Sequence, residues 1–193
     1  NWGNIEPNTT LTIDNTFNFT IANNAPDQLN ILFKLNITDD KGSTWPSQIL
    51  LKINAPNLVI SNKFTIDDSI LGNNNNRLDV GEAATVYFTV ENTGHAAAYN
   101  GLGEIIAKDA FATLSNVTNT FVSLDPGQKA ELLYLATALP SAPQGVINNF
   151  SLVVTANAYT DKQNFGLKIG QIIAELNPDF NFETSGDKEW TIT

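Results

Sequence analysis

Apolar and polar residues alternate with a period of two in several short runs of the chain. Residues 17–21 show this alternation, and it recurs in residues 31–38 and 86–90. A period of two is typical of a strand with one buried face and one solvated face. No run has the 3.6-residue period of a long amphipathic helix. Further strands are predicted over residues 48–53, 58–64, 98–107, 119–122, 129–136, 146–156 and 164–173.

Asparagine, proline and glycine separate these runs. The chain holds 12 glycines and 8 prolines, and asparagine clusters with them in segments such as residues 23–26 and 92–94. These residue types close turns because they fix or tolerate unusual backbone angles. About ten short strands separated by such turns are typical of sandwiches. The predicted fold class is therefore all-β, an immunoglobulin-like antiparallel β-sandwich.

The first quarter of the chain is repeated in its second half at a nearly constant spacing. Turn prolines, apolar alternation and a closing strand recur in the same order, a combination that is rare by chance. The matched segments are residues 5–8 with 124–127, 17–21 with 131–135, 25–26 with 142–143, 33–38 with 150–155 and 51–53 with 167–169.

This repeat predicts a tandem array whose first copy is incomplete. Residues 1–55 are interpreted as the C-terminal half of a preceding repeat, residues 56–176 as a complete sandwich, and residues 177–193 as a linker and the start of a following module. Half a sandwich exposes an apolar face and unpaired strand edges. The alternative is a small sheet domain in residues 1–55 with accidental similarity. The predicted core of the complete copy contains Phe88, Val90, Leu133, Leu135, Phe150, Leu152, Val154 and Leu167.

Composition and charge narrow the possible chemistry. The chain has no cysteine and one histidine, which excludes disulfides, thiolate nucleophiles and cysteine-based zinc or iron–sulfur sites. Twenty acidic residues against 10 basic ones give a formal net charge of -10, so nucleic acid is not an expected partner and cations are favoured. No apolar run reaches the length of a membrane span, so no membrane insertion is expected. The absence of methionine indicates a piece of a longer protein.

An Asn-rich acidic loop before residues 86–90 is the one cluster of residues whose chemistry suggests a metal site. Residues 73–82 place oxygen-bearing groups at positions 3, 5, 7, 9 and 12 of an EF-hand-like loop. Leu71 stands at position 1, so Asp67 or Asp68 must bend in to replace it. Such oxygen ligands suit Ca²⁺. The alternative is turn closure by asparagine side chains without an ion. The predicted metal ligands are Asp68, Asn73, Asn75, the Arg77 carbonyl, Asp79 and Glu82.

The same loop carries a family resemblance. Asp67-Asp68, residues 72–82, a strand and then Asn92-Thr93-Gly94 resemble the immunoglobulin-like modules of gingipain-like cysteine proteases, where the pattern reads roughly D-x(3-5)-G-N-x-N-G-x-L-D-x-G-E, a strand and N-T-G. Residues 23–27 and 37–45 are similar to the second half of that module. Residues 180–186 are similar to the start of the jelly-roll adhesin-type domain that often follows. Two positions depart from the pattern, Asn76 for the usual Gly and Val80 for the usual Pro.

The resemblance implies a secreted or cell-surface multidomain protein of the bacterial envelope. This fragment would be a non-catalytic structural and interaction module, with any cysteine peptidase lying before Asn1. Its partners would be neighbouring domains of the same chain, and a surface protein or a glycan. The catalytic Cys and His of the family have no counterpart here, because the chain lacks cysteine and His95 lies in a turn.

The alternative function is a carbohydrate-binding or adhesin module, because aromatic faces such as that of Trp45 stack on sugar rings. No enzyme is expected within these boundaries. The acidic pairs Asp39-Asp40 and Asp67-Asp68 are sequence neighbours. Neighbours on a strand point to opposite faces, and this defeats a two-carboxylate mechanism.

Overall fold

The computed structural model describes residues 2–14 and 16–172. Within them the chain forms ten β-strands and no helix, so no helix there could cross a membrane. The strands are β1 (Asn30–Thr38), β2 (Thr44–Lys52), β3 (Leu58–Asp67), β4 (Ala83–Asn92), β5 (Ala98–Ala107), β6 (Ala112–Ser115), β7 (Thr118–Leu124), β8 (Lys129–Ala138), β9 (Val146–Ala156) and β10 (Tyr159–Ile169).

Eight of these strands form a sandwich of two four-stranded sheets. One sheet has the order β3-β4-β8-β6 and the other the order β10-β9-β5-β7, with antiparallel neighbours throughout. A constant-type immunoglobulin sandwich packs an A-B-E-D sheet on a G-F-C sheet. The observed orders reproduce that arrangement, and β7 is an added edge strand beside β5. The predicted fold class, an immunoglobulin-like antiparallel β-sandwich, is confirmed.

The core lies between the two sheets, toward which each strand turns alternate residues. Phe88 of β4 packs on Phe165 of β10 with ring centroids 4.6 Å apart, and on Tyr134 of β8 at 5.9 Å. The contact with Phe165 joins the two sheets, because β10 belongs to the opposite sheet from β4. The contact with Tyr134 lies within one sheet, where β4 and β8 are neighbours. Six of the predicted core residues are buried, namely Phe88, Val90, Phe150, Leu152, Val154 and Leu167.

The core prediction for β8 is wrong by one residue. Leu133 is 41% exposed and Leu135 is half-buried, whereas Leu132, Tyr134 and Ala136 are buried. Because side chains alternate along a strand, a shift of one residue moves every side chain to the other face. Four consecutive large apolar residues in β8 leave no alternation from which the phase could be read. Matching residues 17–21 to 132–136 instead of 131–135 places their alternating apolar residues on the buried positions of β8.

The predicted bounds agree exactly with the structure for β5 and β9. Other strands differ at one or both ends, most of all β10, which runs from Tyr159 to Ile169 where the sequence predicts 164–173. Residues 17–21 form no strand, and β6 was not predicted. β6 has only four residues and pairs with β8 at the sheet edge, so it is too short to show periodicity. The repeat gives β4 and β6 no counterparts in residues 1–55, so residues 17–21 lack the neighbours that order β8.

β1 and β2 form a separate two-stranded antiparallel sheet, which we call the N-terminal hairpin. Its register runs from the pair Asn30 and Lys52 to the pair Thr38 and Thr44. The turn is closed by Asp39, whose Oδ1 accepts the N–H groups of Lys41 at 3.0 Å and Ser43 at 2.7 Å. The boundaries after residues 55 and 176 stay predictions, and residues 177–193 lie outside the described part of the chain.

Candidate functional site

The predicted calcium loop joins β3 to β4 and is anchored to the sandwich core. Leu78, in the middle of the loop, is fully buried and forms a short parallel bridge with Ile169 at the end of β10. The N–H of Gly170 donates to the Leu78 carbonyl at 2.8 Å. These contacts fix the loop to the opposite sheet, so its polar residues are held in a defined arrangement.

Asp68 closes the asparagine run of this loop from a fully buried position. Its Oδ2 accepts the N–H of Asn75 at 2.9 Å, and its Oδ1 accepts the N–H of Asn76 at 2.8 Å. Burial alone would raise the pKa of Asp68, but these backbone hydrogen bonds outweigh burial and lower the pKa. The carboxylate is therefore held in its charged form by the loop that it closes.

Asp79 and Glu82 hold the other side of the loop. Asp79 Oδ2 accepts the side-chain amides of Asn73 at 2.9 Å and Asn75 at 2.7 Å, and it pairs with Arg77 at 3.4 Å. The amides of Asn75 and Asn73 lower the pKa of Asp79. Glu82 Oε1 accepts the N–H of Asn73 at 2.6 Å, and its Oε2 accepts the N–H of Asp79 at 3.0 Å.

The six predicted ligand residues are thus brought into one loop, but their carboxylates face N–H donors. The turn interpretation has asparagine side chains closing the loop, and Asn75 does so where its Oδ1 accepts the N–H of Arg77 at 3.0 Å. The other backbone N–H groups are accepted by Asp68 and Glu82. A cation would require the carboxamides of Asn73 and Asn75 to rotate, so that their oxygens and not their NH₂ groups face Asp79. Across residues 2–14 and 16–172, no three His, Cys, Asp or Glu side chains are grouped as metal ligands. Calcium binding at this loop stays a prediction.

The backbone of the loop explains one departure from the gingipain-like motif. Asn76, which stands where the motif has Gly, has a φ of 59°, and Asn74 has a φ of 61°. This left-handed region is open to Gly and is tolerated by Asn better than by most other residues. Asn at position 76 therefore supports the same turn as the Gly of the motif.

His95 lies in the connection between β4 and β5, as predicted, and it has a role that the sequence did not reveal. Its Nδ1 lies 2.6 Å from Oδ2 of Asp27, which is 68 residues away in the sequence. Asp27 Oδ1 also accepts the N–H groups of Ala55 at 2.9 Å and His95 at 3.3 Å. One carboxylate therefore ties the N-terminal hairpin, the linker and the sandwich together. We call this contact region the joint. In it, residues 25–29 and 53–57 lie against the connection between β4 and β5.

Further contacts close the joint. The Ala55 carbonyl accepts the N–H groups of His95 at 2.9 Å and Ala96 at 3.2 Å. The Tyr159 hydroxyl donates to the Ala25 carbonyl at 3.1 Å. Gly94 packs its Cα so tightly against residues 55–57 that a Cβ would overlap their backbone. The joint is therefore a packed, hydrogen-bonded contact.

The electrostatics of the joint favour the ionised carboxylate. Burial alone would raise the pKa of Asp27, but the hydrogen bonds from Ala55 and His95 and the attraction of His95 outweigh burial and lower the pKa. Residues 23–27 have the composition of a turn, in which Asp follows Pro. No local pattern signals a partner as distant as His95, so the joint was missed.

The aromatic residues of the carbohydrate-binding alternative are partly placed. Trp45 lies near the start of β2 and is 52% exposed. Trp2 and Tyr99 are also exposed. Trp190 lies outside the described residues. An exposed indole ring is the feature that sugar stacking requires, and Trp45 is the tryptophan that a strand of the structure presents in this way.

Comparisons with known proteins give no family for the chain. No protein-family model matches it, and no curated protein matches it. Among solved structures it is similar to the ASH/PapD-like domain 7 of human CEP192, at 12% identity over 61% of this chain and 87% of that chain, with a TM-score of 0.35. It is also similar to a conjugative transposon lipoprotein from Bacteroides eggerthii, at 16% identity over 55% of this chain and 98% of that chain, with a TM-score of 0.33. Similarities this weak carry no argument about function, and the fold rests on the strand order itself.

Proposed function

We propose that the chain is a non-catalytic structural and interaction module of a multidomain bacterial cell-surface protein, of the kind that accompanies gingipain-like peptidases. The joint is the observation that carries this proposal. It fixes one β-unit on the next through Asp27, which bonds the linker at Ala55 and the sandwich at His95. Units joined in this way transmit orientation along a chain, which is what a rigid spacer must do.

The closeness of the packing at the joint supports the spacer role. Ala25 and Ala55 are buried there, and Gly94 leaves no room for a side chain. Tandem domains linked only by an exposed linker move independently by default. In this linker Ile53 and Ala55 are buried and their N–H groups are hydrogen-bonded to Leu29 and Asp27. These contacts remove much of that freedom, so a single orientation is favoured.

The surface setting is supported by the motif and by charge. Residues 72–82 and 92–94 keep the gingipain-like pattern with two departures, and the left-handed φ of Asn76 accounts for the first. The formal net charge of -10 favours contact with cations and with basic protein surfaces over contact with nucleic acid. The partners that we propose are neighbouring domains of the same chain and a surface protein.

The test is a measurement of ¹⁵N relaxation for the hairpin and the sandwich in the same sample. A rigid joint gives both units one rotational correlation time. Asp27→Ala should shorten the apparent correlation time of the N-terminal hairpin while the sandwich keeps its own. Asp40→Ala is the matched control, because Asp40 is an exposed carboxylate in the hairpin turn. Independent tumbling of the two units in the unmodified chain would contradict the spacer role.

Carbohydrate binding is a second candidate function, favoured by the exposure of Trp45. Saturable binding on a glycan array that is lost in Trp45→Ala and kept in Trp2→Ala would establish it. Trp2 is the control because it is also exposed but lies outside the strands. An array without saturable binding removes this candidate and leaves the spacer proposal unaffected.

A further inference from the structure

The N-terminal hairpin and the β9–β10 hairpin are the same structural unit. Under the internal repeat, β1 falls within β9 and β2 within β10, and the one-residue change in spacing falls in the turn between the strands. The registers also coincide. Phe33 pairs with Ile49 in the first hairpin, and their counterparts Phe150 and Phe165 pair in the second. The equivalence first found in the sequence therefore extends to individual strand pairs.

The two hairpins differ in what covers them. The residues of β9 and β10 that face the sandwich core are buried, with Phe150 at 3% and Phe165 at 6% exposure. Their counterparts in the N-terminal hairpin are open, since Phe33 is half-buried and Ile49 is 57% exposed. The exception is Ile53, which is buried at the joint. The same positions are thus buried in one copy and half-buried or exposed in the other.

The open positions lie together on one side of the hairpin, which we call the apolar face. The opposite side carries Lys34, Asn36, Gln48 and Lys52, with Leu50 as one of its exposed apolar residues. A sheet with one apolar and one polar side is built to bury the apolar side. The apolar face consists of Ile31, Phe33, Leu35, Ile37, Trp45, Ile49 and Leu51.

Residues 17–21 add to this surface. Phe19 packs on Phe33 with ring centroids 5.2 Å apart, yet Phe17, Phe19 and Ile21 are all exposed. With the corrected phase of the repeat they match Leu132, Tyr134 and Ala136, the buried residues of β8. A segment that belongs to the core sheet in the complete copy is therefore exposed beside the apolar face in the first copy.

The complete copy shows what covers such a hairpin. Phe165 of β10 packs on Phe64 of β3 at 5.8 Å and on Phe88 of β4 at 4.6 Å, both in the opposite sheet. The edge of β9 that faces away from β10 is paired with β5, from Gly101 with Ala156 to Ala107 with Phe150. In the described part of the chain, β1 pairs with β2 alone. The N-terminal hairpin therefore lacks both a strand on its edge and a sheet on its face.

We propose that the N-terminal hairpin is a docking site for the front half of another immunoglobulin-like repeat, a segment patterned like residues 56–119. One strand of that segment, equivalent to β5, adds to the free edge of β1. Strands equivalent to β3 and β4 cover the apolar face, and residues 17–21 join them as a strand equivalent to β8. This inference rests on the tandem-module function proposed above and names the partner that it requires.

The repeat favours this occupant over a second copy of the N-terminal hairpin. Every position of the apolar face except Ile31 and Trp45 has an apolar counterpart in β9 or β10 that packs in the sandwich. A front half of a repeat has a complementary sheet already shaped for that surface. Two facing hairpins would supply no strand equivalent to β4, which in the sandwich carries four buried apolar residues.

The test joins a copy of residues 56–119 directly before Asn1, the connection set by the match of Ile5 to Leu124. Hydrogen exchange is then followed at the β1 amides that face away from β2. Docking should slow their exchange about 100-fold or more relative to the unmodified chain, because exchange must then wait for opening of a sandwich.

Two neighbouring variants supply the matched control in the fused chain. Ile49→Asp places a charge on the apolar face and should abolish the added protection. Leu50→Asp places the same charge on the opposite side, where Leu50 is 65% exposed, and should leave the protection intact. Neither variant should unfold the unmodified chain, since both side chains are exposed there.

A second fusion guards against a mismatch between repeat copies. Asn148 Oδ1 accepts the N–H groups of Phe111 and Ala112 at 2.9 and 3.0 Å, and its counterpart in β1 is Ile31. Ile31→Asn restores that acceptor for the added copy. If neither fusion protects β1, the proposal is overturned. Concentration-dependent protection of the unmodified chain, with dimers in sedimentation, would overturn it in favour of a second copy of this chain.

The outcome is separable from that of the spacer proposal. A mobile joint in the unmodified chain would contradict the spacer role, yet the fused copy would still protect β1 if the docking proposal holds. A rigid joint with unprotected β1 amides in both fusions would contradict docking alone.

Discussion

The N-terminal hairpin and the β9–β10 hairpin share sequence pattern, strand pairing and register, yet only the second belongs to a core. Phe33 pairs with Ile49 just as Phe150 pairs with Phe165. The two strands of each hairpin therefore pair in the same register, whether or not an opposing sheet is present. What differs is the burial of side chains, and this is where sheets gain most of their stability. An isolated two-stranded hairpin is marginally stable in water.

The comparison also explains why residues 17–21 and β8 behave differently. Both are rich in apolar residues, but β8 lies between β4 and β6. Residues 17–21 have no such neighbours and form no strand. Local pattern thus states which face a strand would bury, and neighbouring strands decide whether the strand forms.

The largest effect should come from truncating matched phenylalanines of the two hairpins. Phe150→Ala removes a ring from the sandwich core and should lower the free energy of unfolding by about 3–5 kcal/mol. Phe33→Ala removes its half-buried counterpart and should lower it by about 1 kcal/mol or less, because little cavity is created. Urea unfolding, followed by far-ultraviolet circular dichroism, measures both values.

Equal losses of stability in the two variants would mean that the two hairpins do not differ in burial. A small cost for Phe150→Ala would mean that β9 is not part of the core. A large cost for Phe33→Ala would mean that the apolar face of the N-terminal hairpin is already covered in solution. Thr155→Ala, a half-buried change in β9, controls for effects of substitution in that strand.

A smaller effect is expected from making β9 resemble β1 at Asn148. Asn148→Ile introduces the residue found at the matching position of β1 and removes the acceptor for Phe111 and Ala112. The loss should be about 1–3 kcal/mol, because buried N–H groups are left without a partner. Ile31→Asn in the unmodified chain is the reciprocal change and should cost little. A neutral Asn148→Ile variant would show that the acceptor is dispensable.

These differences also mark what the sequence could predict. The alternation of β4 and of β9, bounded by turns, gave the strands and the buried residues of both. The run Leu132-Leu133-Tyr134-Leu135 has no alternation, so the phase of β8 could be settled only by the opposing sheet. Periodicity carries information about a face only where polar residues separate apolar ones.

The candidate site was predictable in part. The acidic loop was found because its residues are close in the sequence, and the structure places all six in one loop. The joint was not found, because Asp27 and His95 are brought together only by the folding of the whole chain. Contacts of that kind leave no spacing signal in one sequence. Their detection requires the fold.

Calcium should have a moderate effect that is confined to the complete sandwich, since the N-terminal hairpin has no counterpart of residues 68–82. With millimolar Ca²⁺ in place of chelator, the midpoint of thermal unfolding should rise by several degrees if the loop binds the ion. Asp79→Ala should abolish the rise, and Asp125→Ala, an exposed carboxylate in another turn, should keep it. An unchanged midpoint would leave the loop closed by its hydrogen bonds alone.

The smallest effect should be the acid dependence of the contact between the two regions. The pKa of Asp27 is lowered in the folded chain, so its stabilisation is fully present above the unfolded pKa of about 4 and is lost as pH falls through the folded value. Asp27→Asn should therefore be less stable than the parent at pH 7 by less than about 1 kcal/mol, and the gap should close at lower pH. Urea unfolding at pH 7, 4 and 2.5 measures the gap, with Asp40→Asn as the control. A gap that persists at pH 2.5 would show that the side chain of Asp27 acts through packing and not through its charge.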